Sequence, residues 1–291
     1  MANILIIGCG AIGLELANVL ASRGHQVTGL KRQPPVNPGN INFVAADLTV
    51  AADLEKLPTH FDLVYFIVSA DGRNEQSYRD IYDIGLNNLL SRFAESNSNP
   101  RWIFVSSTSV YGQDKGEWVD ETSLAQPANA NSLWIRKAEQ RLEEANPDNI
   151  TVRFSGIYGP GREYLLRTAR QAPLIQQTPP YYTNRIHQDD CVGVLAFLLE
   201  QHLVGAKLAP YYLASDDDPA PMWEVISWLA AQMNCPLPHI KPASDAAPMN
   251  KRCNNQRLKS LGYQFKYPGY QDGYSALISL LDGSKPSSCS Q

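Results

Sequence analysis

The spacing of three glycines near the amino terminus restricts this chain more than any other feature. Gly8-Cys9-Gly10-Ala11-Ile12-Gly13 follows a short apolar run, Ile4 to Ile7, and precedes Leu14 to Ser22, where apolar residues recur at helical spacing. In a G-x-G-x-x-G of this kind the first glycine permits a tight turn and the second lets a pyrophosphate approach the backbone. The third lets helix and strand pack closely, and the helix amino terminus supplies N–H donors. The motif by itself also fits a glycine-rich structural turn; its place between a strand and a helix favours dinucleotide binding through Gly8, Gly10, Ala11, Ile12 and Gly13. Gly24 is well placed to end the helix.

The rest of the first two thirds repeats this alternation. Strands are predicted at His25 to Leu30, Ile41 to Ala45, Leu63 to Val68, Trp102 to Ser106 and Ile150 to Phe154, with helices at Tyr78 to Glu95 and Ser132 to Glu144. Strands alternating with helices read as stacked βαβ units, that is, an α/β fold of the Rossmann type with a doubly wound parallel sheet. Leu63 to Val68 is apolar throughout, as befits a strand covered on both faces. Further helices are predicted at Asp189 to Gln201 and Met222 to Gln232, and connections at Pro173 to Pro180 and Asp216 to Pro221. The Ser-rich end from residue 284 to 291 is expected to be disordered.

A chain of 291 residues suggests about two domains. Its 25 Lys and Arg against 29 Asp and Glu leave a charge of -4 with no basic cluster, which argues against nucleic acid as a partner. No apolar run approaches the ~20 residues that cross a bilayer, so no membrane segment is expected. The first residues lack the charged n-region and cleavage site of a signal peptide, which predicts a cytoplasmic protein. Five cysteines without a Cys-x-x-Cys pair indicate neither a disulfide framework nor a metal site.

An acidic residue about 20 positions beyond the glycines would bind the ribose 2′-hydroxyl of NAD. Gly29-Leu30-Lys31-Arg32 stands there instead. Two cations and no carboxylate favour a 2′-phosphate, so NADP(H) is the expected cofactor and NAD(H) the alternative. Cys9, at a helix amino terminus where a thiol pKa can fall, is a minor candidate for redox chemistry.

From residue 4 to about 275 the chain resembles the extended short-chain dehydrogenase/reductases, the NAD-dependent epimerase/dehydratase family. Asp47-Leu48 looks like the family's adenine-contacting pair, and Val68-Ser69-Ala70 like the loop lining the nicotinamide ribose. Val105 to Gly112 resembles the strand-five segment, which implies Ser107 as the active-site serine with Ser106 beside the cofactor and Ser109 nearby. Arg153 to Gly161 and Arg185 to Asp190 match two later segments. These imply Tyr158 at the nicotinamide end, and Tyr111, Arg185 and His187 as candidates for substrate contact. The resemblance further implies a discontinuous organisation: a Rossmann domain of residues 1–162 and 184–213, and a smaller carboxyl-terminal substrate lobe of 163–183 and 214–283.

One departure stands out. The family's Tyr-x-x-x-Lys pair, in which lysine lowers the tyrosine pKa and the phenolate exchanges a proton with the substrate, has no counterpart, because no tyrosine lies between Tyr111 and Tyr158. Alignment on Lys137 puts Leu133 at the tyrosine position; alignment on Ala138-Glu139 puts Asn131 there and Ile135 at the lysine. Ile135, Ala138 and Leu142 share a helical face, which favours the second register and makes Lys137 a solvated charge. The chain thus resembles an atypical branch with the fold and nucleotide site but without the usual pair. Two functions follow as expectations. One is an epimerase/dehydratase-like or reductase-like oxidoreductase acting on a sugar-like or other hydroxyl/carbonyl small molecule, a homodimer being admissible. The other is a non-catalytic NADP(H)-binding sensor.

Overall fold

The computed structural model describes residues 1–96, 98–242, 244 and 247–283. The expected disordered end and Cys289 lie outside the described residues. In chain order the elements begin with β1 (Asn3–Ile7), α1 (Ala11–Ser22), β2 (Gln26–Lys31), β3 (Asn42–Ala45), β4 (Leu63–Phe66), α2 (Glu75–Arg79), α3 (Leu86–Glu95), β5 (Arg101–Ser107), β6 (Lys115–Val119), α4 (Ala130–Ala145) and β7 (Ile150–Phe154). They continue with β8 (Gly156–Tyr158), α5 (Tyr164–Ala169), β9 (Leu174–Gln176), β10 (Arg185–His187), α6 (Gln188–Leu203), β11 (Tyr211–Ala214), α7 (Met222–Gln232), β12 (His239–Lys241), β13 (Asn250–Cys253), α8 (Gln256–Leu261) and α9 (Tyr270–Gly283).

The six strands read from the sequence enter one seven-stranded sheet, in the order β11-β7-β5-β4-β1-β2-β3, and the pairings from β3 to β7 are parallel. The seventh, Tyr211–Ala214, adds an edge strand not picked out from the sequence. The order reverses between β1 and β4, and ligands of doubly wound sheets bind beyond the carboxyl ends of the strands at such a switch point. All of β4 is buried, in keeping with its uninterrupted apolar sequence. Helix α1 buries Ile12, Leu16, Ala17 and Leu20 and ends at Gly24, whose φ of 84° is the left-handed conformation that a side chain resists. The single helix expected at Tyr78 to Glu95 is α2 and α3 joined by a π-helical turn, Asp80–Gly85. No helix among the described residues is long and apolar enough to cross a membrane.

Two compact units divide the chain: residues 1–112, 123–154 and 192–212 in the first, and 113–122, 155–191 and everything from Leu213 onward in the second. The first holds the nucleotide-type sheet. The second contains three small parallel strand pairs, β8 with β10, β9 with β12, and β6 with β13. Because β8 pairs with β10 and not with the large sheet, residues 155–162 and 184–191, which the resemblance groups with the Rossmann domain, fall within the second unit. Its core joins α5, α7 and α9 through Leu166, Val225, Leu229, Tyr274 and Leu277.

Candidate functional site

The first unit carries a cavity of about 360 Å³ beyond the carboxyl ends of β1, β2, β3 and β4. Its floor is the glycine turn. Gly8 has a φ of 94°, and a Cβ there would press on the Ile67 carbonyl at 2.6 Å, so the turn after β1 requires glycine. A Cβ on Gly13 would overlap the Gly8 carbonyl oxygen, which is the close approach of helix and strand that the motif predicts. Gly10 differs: a Cβ there meets nothing within 4 Å, because its Cα faces the open cavity. Gly10 also caps α1 without a side-chain hydrogen bond, and no acidic residue occupies the first turn. The first N–H groups of a twelve-residue helix are thus left for an anion, and the cradle fits a dinucleotide pyrophosphate.

Around this floor the cavity gathers Lys31, Arg32, Asp47, Leu48, Val68 and Ser69, six of the residues picked out from the sequence. Asp47 accepts from the Thr49 N–H at 2.9 Å and hydroxyl at 2.7 Å, which fixes the turn after β3. Leu48 packs against Gly85, where any side chain would collide with it. Burial pushes the Cys9 thiol up to about 11, overriding the helix terminus, so at neutral pH it is a protonated packing group under Gly29.

Sequence reasoning missed Asp71. Its carboxylate grips the Arg32 guanidinium in a two-pronged pair of 2.6 and 2.7 Å, and both residues line the cavity. The hydrogen bond from Arg32 holds the Asp71 carboxyl below the usual range. A carboxylate does therefore reach the end of β2, but from the loop after β4, where the spacing rule does not look. Asp80 and Ile81, from the π-helical turn, complete the wall.

Ser107 and Ser109 sit where β5 ends, on the same edge of the sheet, outside the lining of the cavity. The Ser107 Oγ accepts from the Ser109 N–H at 3.1 Å and so caps a short helical turn. Ser106 faces elsewhere: its Oγ donates to Glu139 at 2.5 Å. Glu139, fully buried, also receives Arg153 through Nε at 2.9 Å and Nη2 at 2.7 Å, and Arg136 at 2.8 Å. Arg153 in turn donates to the Tyr111 hydroxyl at 2.8 Å, so Tyr111 is part of this buried network. On α4, Leu133 and Lys137 are exposed, with the Lys137 ammonium 4.0 Å above the Trp134 ring, while Ile135, Ala138 and Glu139 are buried. The Asn131 amide donates to the Arg73 carbonyl at 2.9 Å.

Tyr158, Arg185 and His187 belong to the second unit. Arg185 is buried and engaged by Thr183, by the Asp218 carbonyl at 2.6 Å and by Asp216 at 3.6 Å. His187 accepts the Asp189 N–H through Nδ1 at 3.1 Å, and burial lowers its pKa, so it is neutral. Both side chains are buried, and the Arg185 Nε has no hydrogen-bond partner. Tyr158 lines a separate cavity within the second unit. Among the described residues no three His, Cys, Asp or Glu side chains cluster as a metal site.

Asp216 is the unusual acid of the second unit. Desolvation pushes its carboxyl up to about 8, outweighing an Arg185 guanidinium that stands too far off for a hydrogen bond. An unfolded Asp titrates near ~3.9, so from there to about 8 the folded chain holds a proton that the unfolded chain has released. The stability this residue contributes is complete below about pH 4 and is lost as pH rises through about 8. Asp216→Asn is expected to remove that slope, gaining on the wild type between roughly pH 5 and roughly pH 8.5 in urea unfolding; parallel curves would contradict the assignment.

The chain is similar to known proteins. Residues 4–202 match the model of the NAD dependent epimerase/dehydratase family. A solved structure described as an NAD-dependent epimerase/dehydratase from Methylobacillus flagellatus is 34% identical, with a TM-score of 0.80 over 97% of this chain and 99% of that one. Protein YeeZ of Escherichia coli K12 is 27% identical over 211 residues, 69% of this chain and 74% of YeeZ. The UDP-glucose 4-epimerase of Thermus thermophilus, solved in complex with NAD, shares the fold at 18% identity, with a TM-score of 0.77 over 97% of this chain and all (100%) of the epimerase. With the glycine cradle, the switch-point cavity and a family match over most of its length, the chain belongs to the NAD dependent epimerase/dehydratase family.

Proposed function

We propose that this chain is an NADP(H)-preferring oxidoreductase that moves a hydride to or from a small hydroxyl/carbonyl substrate. The observation that carries the reading is the cavity floor, a bare Gly10 and an uncapped helix terminus flanked by Lys31 and Arg32. The Gly8–Gly13 turn would hold the cofactor with Lys31 and Arg32 at its 2′-phosphate; when bound it would supply a hydride to the carbonyl carbon, and the oxygen, gaining the C=O electron pair, would take a proton from water. The products are the alcohol and the oxidised cofactor. Ser107 is the residue assigned to hydrogen-bond that oxygen, a role that needs no partner base. Asn131 stands where the family resemblance puts the phenol, and Tyr111 is committed to Arg153. Turnover is therefore expected to be slower than with a positioned acid by ~10²- to 10⁴-fold. The test is substrate-dependent change in nicotinamide absorbance across a carbonyl panel, suppressed by Ser107→Ala in a variant with unchanged circular dichroism. The missing phenol also motivates a second reading, an NADP(H) sensor. Silence across the panel, with a partner that distinguishes the two redox forms, would establish that reading and remove the first.

The cofactor preference turns on Asp71. Arg32 and Asp71 are 58% and 63% exposed, and pairs so solvated are worth about 0–1 kcal/mol. A 2′-phosphate dianion, taking the Arg32 fork and Lys31 together, outcompetes a single carboxylate for that site. Asp71→Asn is expected to tighten NADPH binding about two- to fivefold by freeing Arg32, with NADH affinity nearly unchanged. Titrations of both cofactors decide this, and equal gains for the two would sink the 2′-phosphate assignment.

A further inference from the structure

The second unit has a cavity of its own, about 280 Å³, and its lining identifies the chemistry it takes. Four tyrosines, Tyr158, Tyr164, Tyr181 and Tyr274, contribute to its wall, with Ile157, Leu165 and Met222 between them. Tyr158 and Tyr274 are stacked with centroids 4.4 Å apart, and the arrangement depends on Gly273, where any Cβ would overlap the Tyr158 hydroxyl.

The polar side chains on this wall are mostly spent. Asn184 donates to the Lys251 carbonyl at 2.9 Å and accepts the Cys253 N–H at 2.7 Å. Asn250 donates to the Tyr182 carbonyl at 2.8 Å, and Thr183 to the Ala220 carbonyl at 3.0 Å. The phenols of Tyr164, Tyr181 and Tyr274 also lie on this wall, and the Tyr158 hydroxyl is buried against Gly273 without a hydrogen-bond partner. The Arg162 side chain, on the turn closed by the Gly159–Arg162 bridge, makes no ion pair among the described residues, and no carboxylate lines the cavity.

We infer that this cavity binds a planar aromatic monocarboxylate, its ring among the tyrosines and its carboxylate on Arg162. A diphosphate asks for more than one cation, and this wall offers one. Aromatic faces and a single guanidinium match one ring and one negative charge. The inference concerns binding alone and stands apart from the reaction proposed above.

Calorimetry on the full chain with 4-hydroxycinnamate, its methyl ester and UDP-glucose tests it. The acid is expected to bind, and Arg162→Gln, a change at an exposed residue, to weaken it roughly tenfold without altering the melting curve. The ester should bind the wild type as weakly as the acid binds the variant. Failure of the acid to bind, equal binding of acid and ester, or tighter binding of UDP-glucose would overturn the assignment. Acid binding with silence across the carbonyl panel would remove the proposed reaction and leave the site standing. NADPH oxidation by carbonyl compounds, with no acid binding, would do the reverse.

Discussion

Glu139→Gln is expected to destabilise the first unit by about 3–5 kcal/mol, the largest stability effect of any single substitution proposed for this chain. The reason is what it leaves behind. Arg153 is almost fully buried, and its charge is balanced by two hydrogen bonds to the Glu139 carboxylate. A neutral amide keeps the shape and drops the countercharge, so a cation remains in a medium that solvates it poorly. Three further partners, Ser106, Arg136 and Tyr111, are arranged around the same two residues and lose their geometry with them. Replacing both members, Glu139→Leu with Arg153→Met, is expected to recover much of the loss, since a packed apolar pair carries no desolvation cost. Urea unfolding of the two single variants and the double variant measures this. A cost below about 1 kcal/mol for Glu139→Gln, or a double variant as poor as the sum of the singles, would refute the account.

That network shows where the sequence could be read and where it could not. Gly8 and Gly13 declare a tight strand-to-helix turn because the backbone there leaves no room for a side chain, and the place of the motif between a strand and a helix carries the nucleotide inference. Six of the seven strands of the large sheet are legible for a similar reason, being short apolar runs between turn residues. Tyr211–Ala214, an edge strand as short as Asn42–Ala45, is not picked out. Glu139 and Arg153 are visible as letters, but nothing local says that helix α4 and strand β7 bring them together; long-range pairing is a property of the fold. Asp71 is the sharper case. The rule that looks for an acid at the end of β2 finds Lys31 and Arg32, and the acid that meets Arg32 arrives from 39 residues away.

Gly10→Val is expected to abolish cofactor binding while leaving the fold intact, and Gly13→Val to do damage of a different kind. Gly10 has an extended backbone conformation, φ -76° and ψ -160°, that valine adopts readily, and its Cβ would meet no protein atom within 4 Å. The added methyl groups would instead occupy the space above the helix terminus where the pyrophosphate must approach the backbone. A loss of at least ~100-fold in NADPH affinity, about 2.7 kcal/mol, is the expected result, with an unchanged urea midpoint. At Gly13 the Cβ would overlap the Gly8 carbonyl, so valine must push α1 away from β1 and lower the stability of the unit with or without cofactor. The contrast separates binding from folding within one motif: fluorescence titration with NADPH reads the first, urea unfolding the second. Should Gly10→Val bind NADPH as the wild type does, the cavity over Gly10 is not the pyrophosphate site, and the cofactor assignment falls with it.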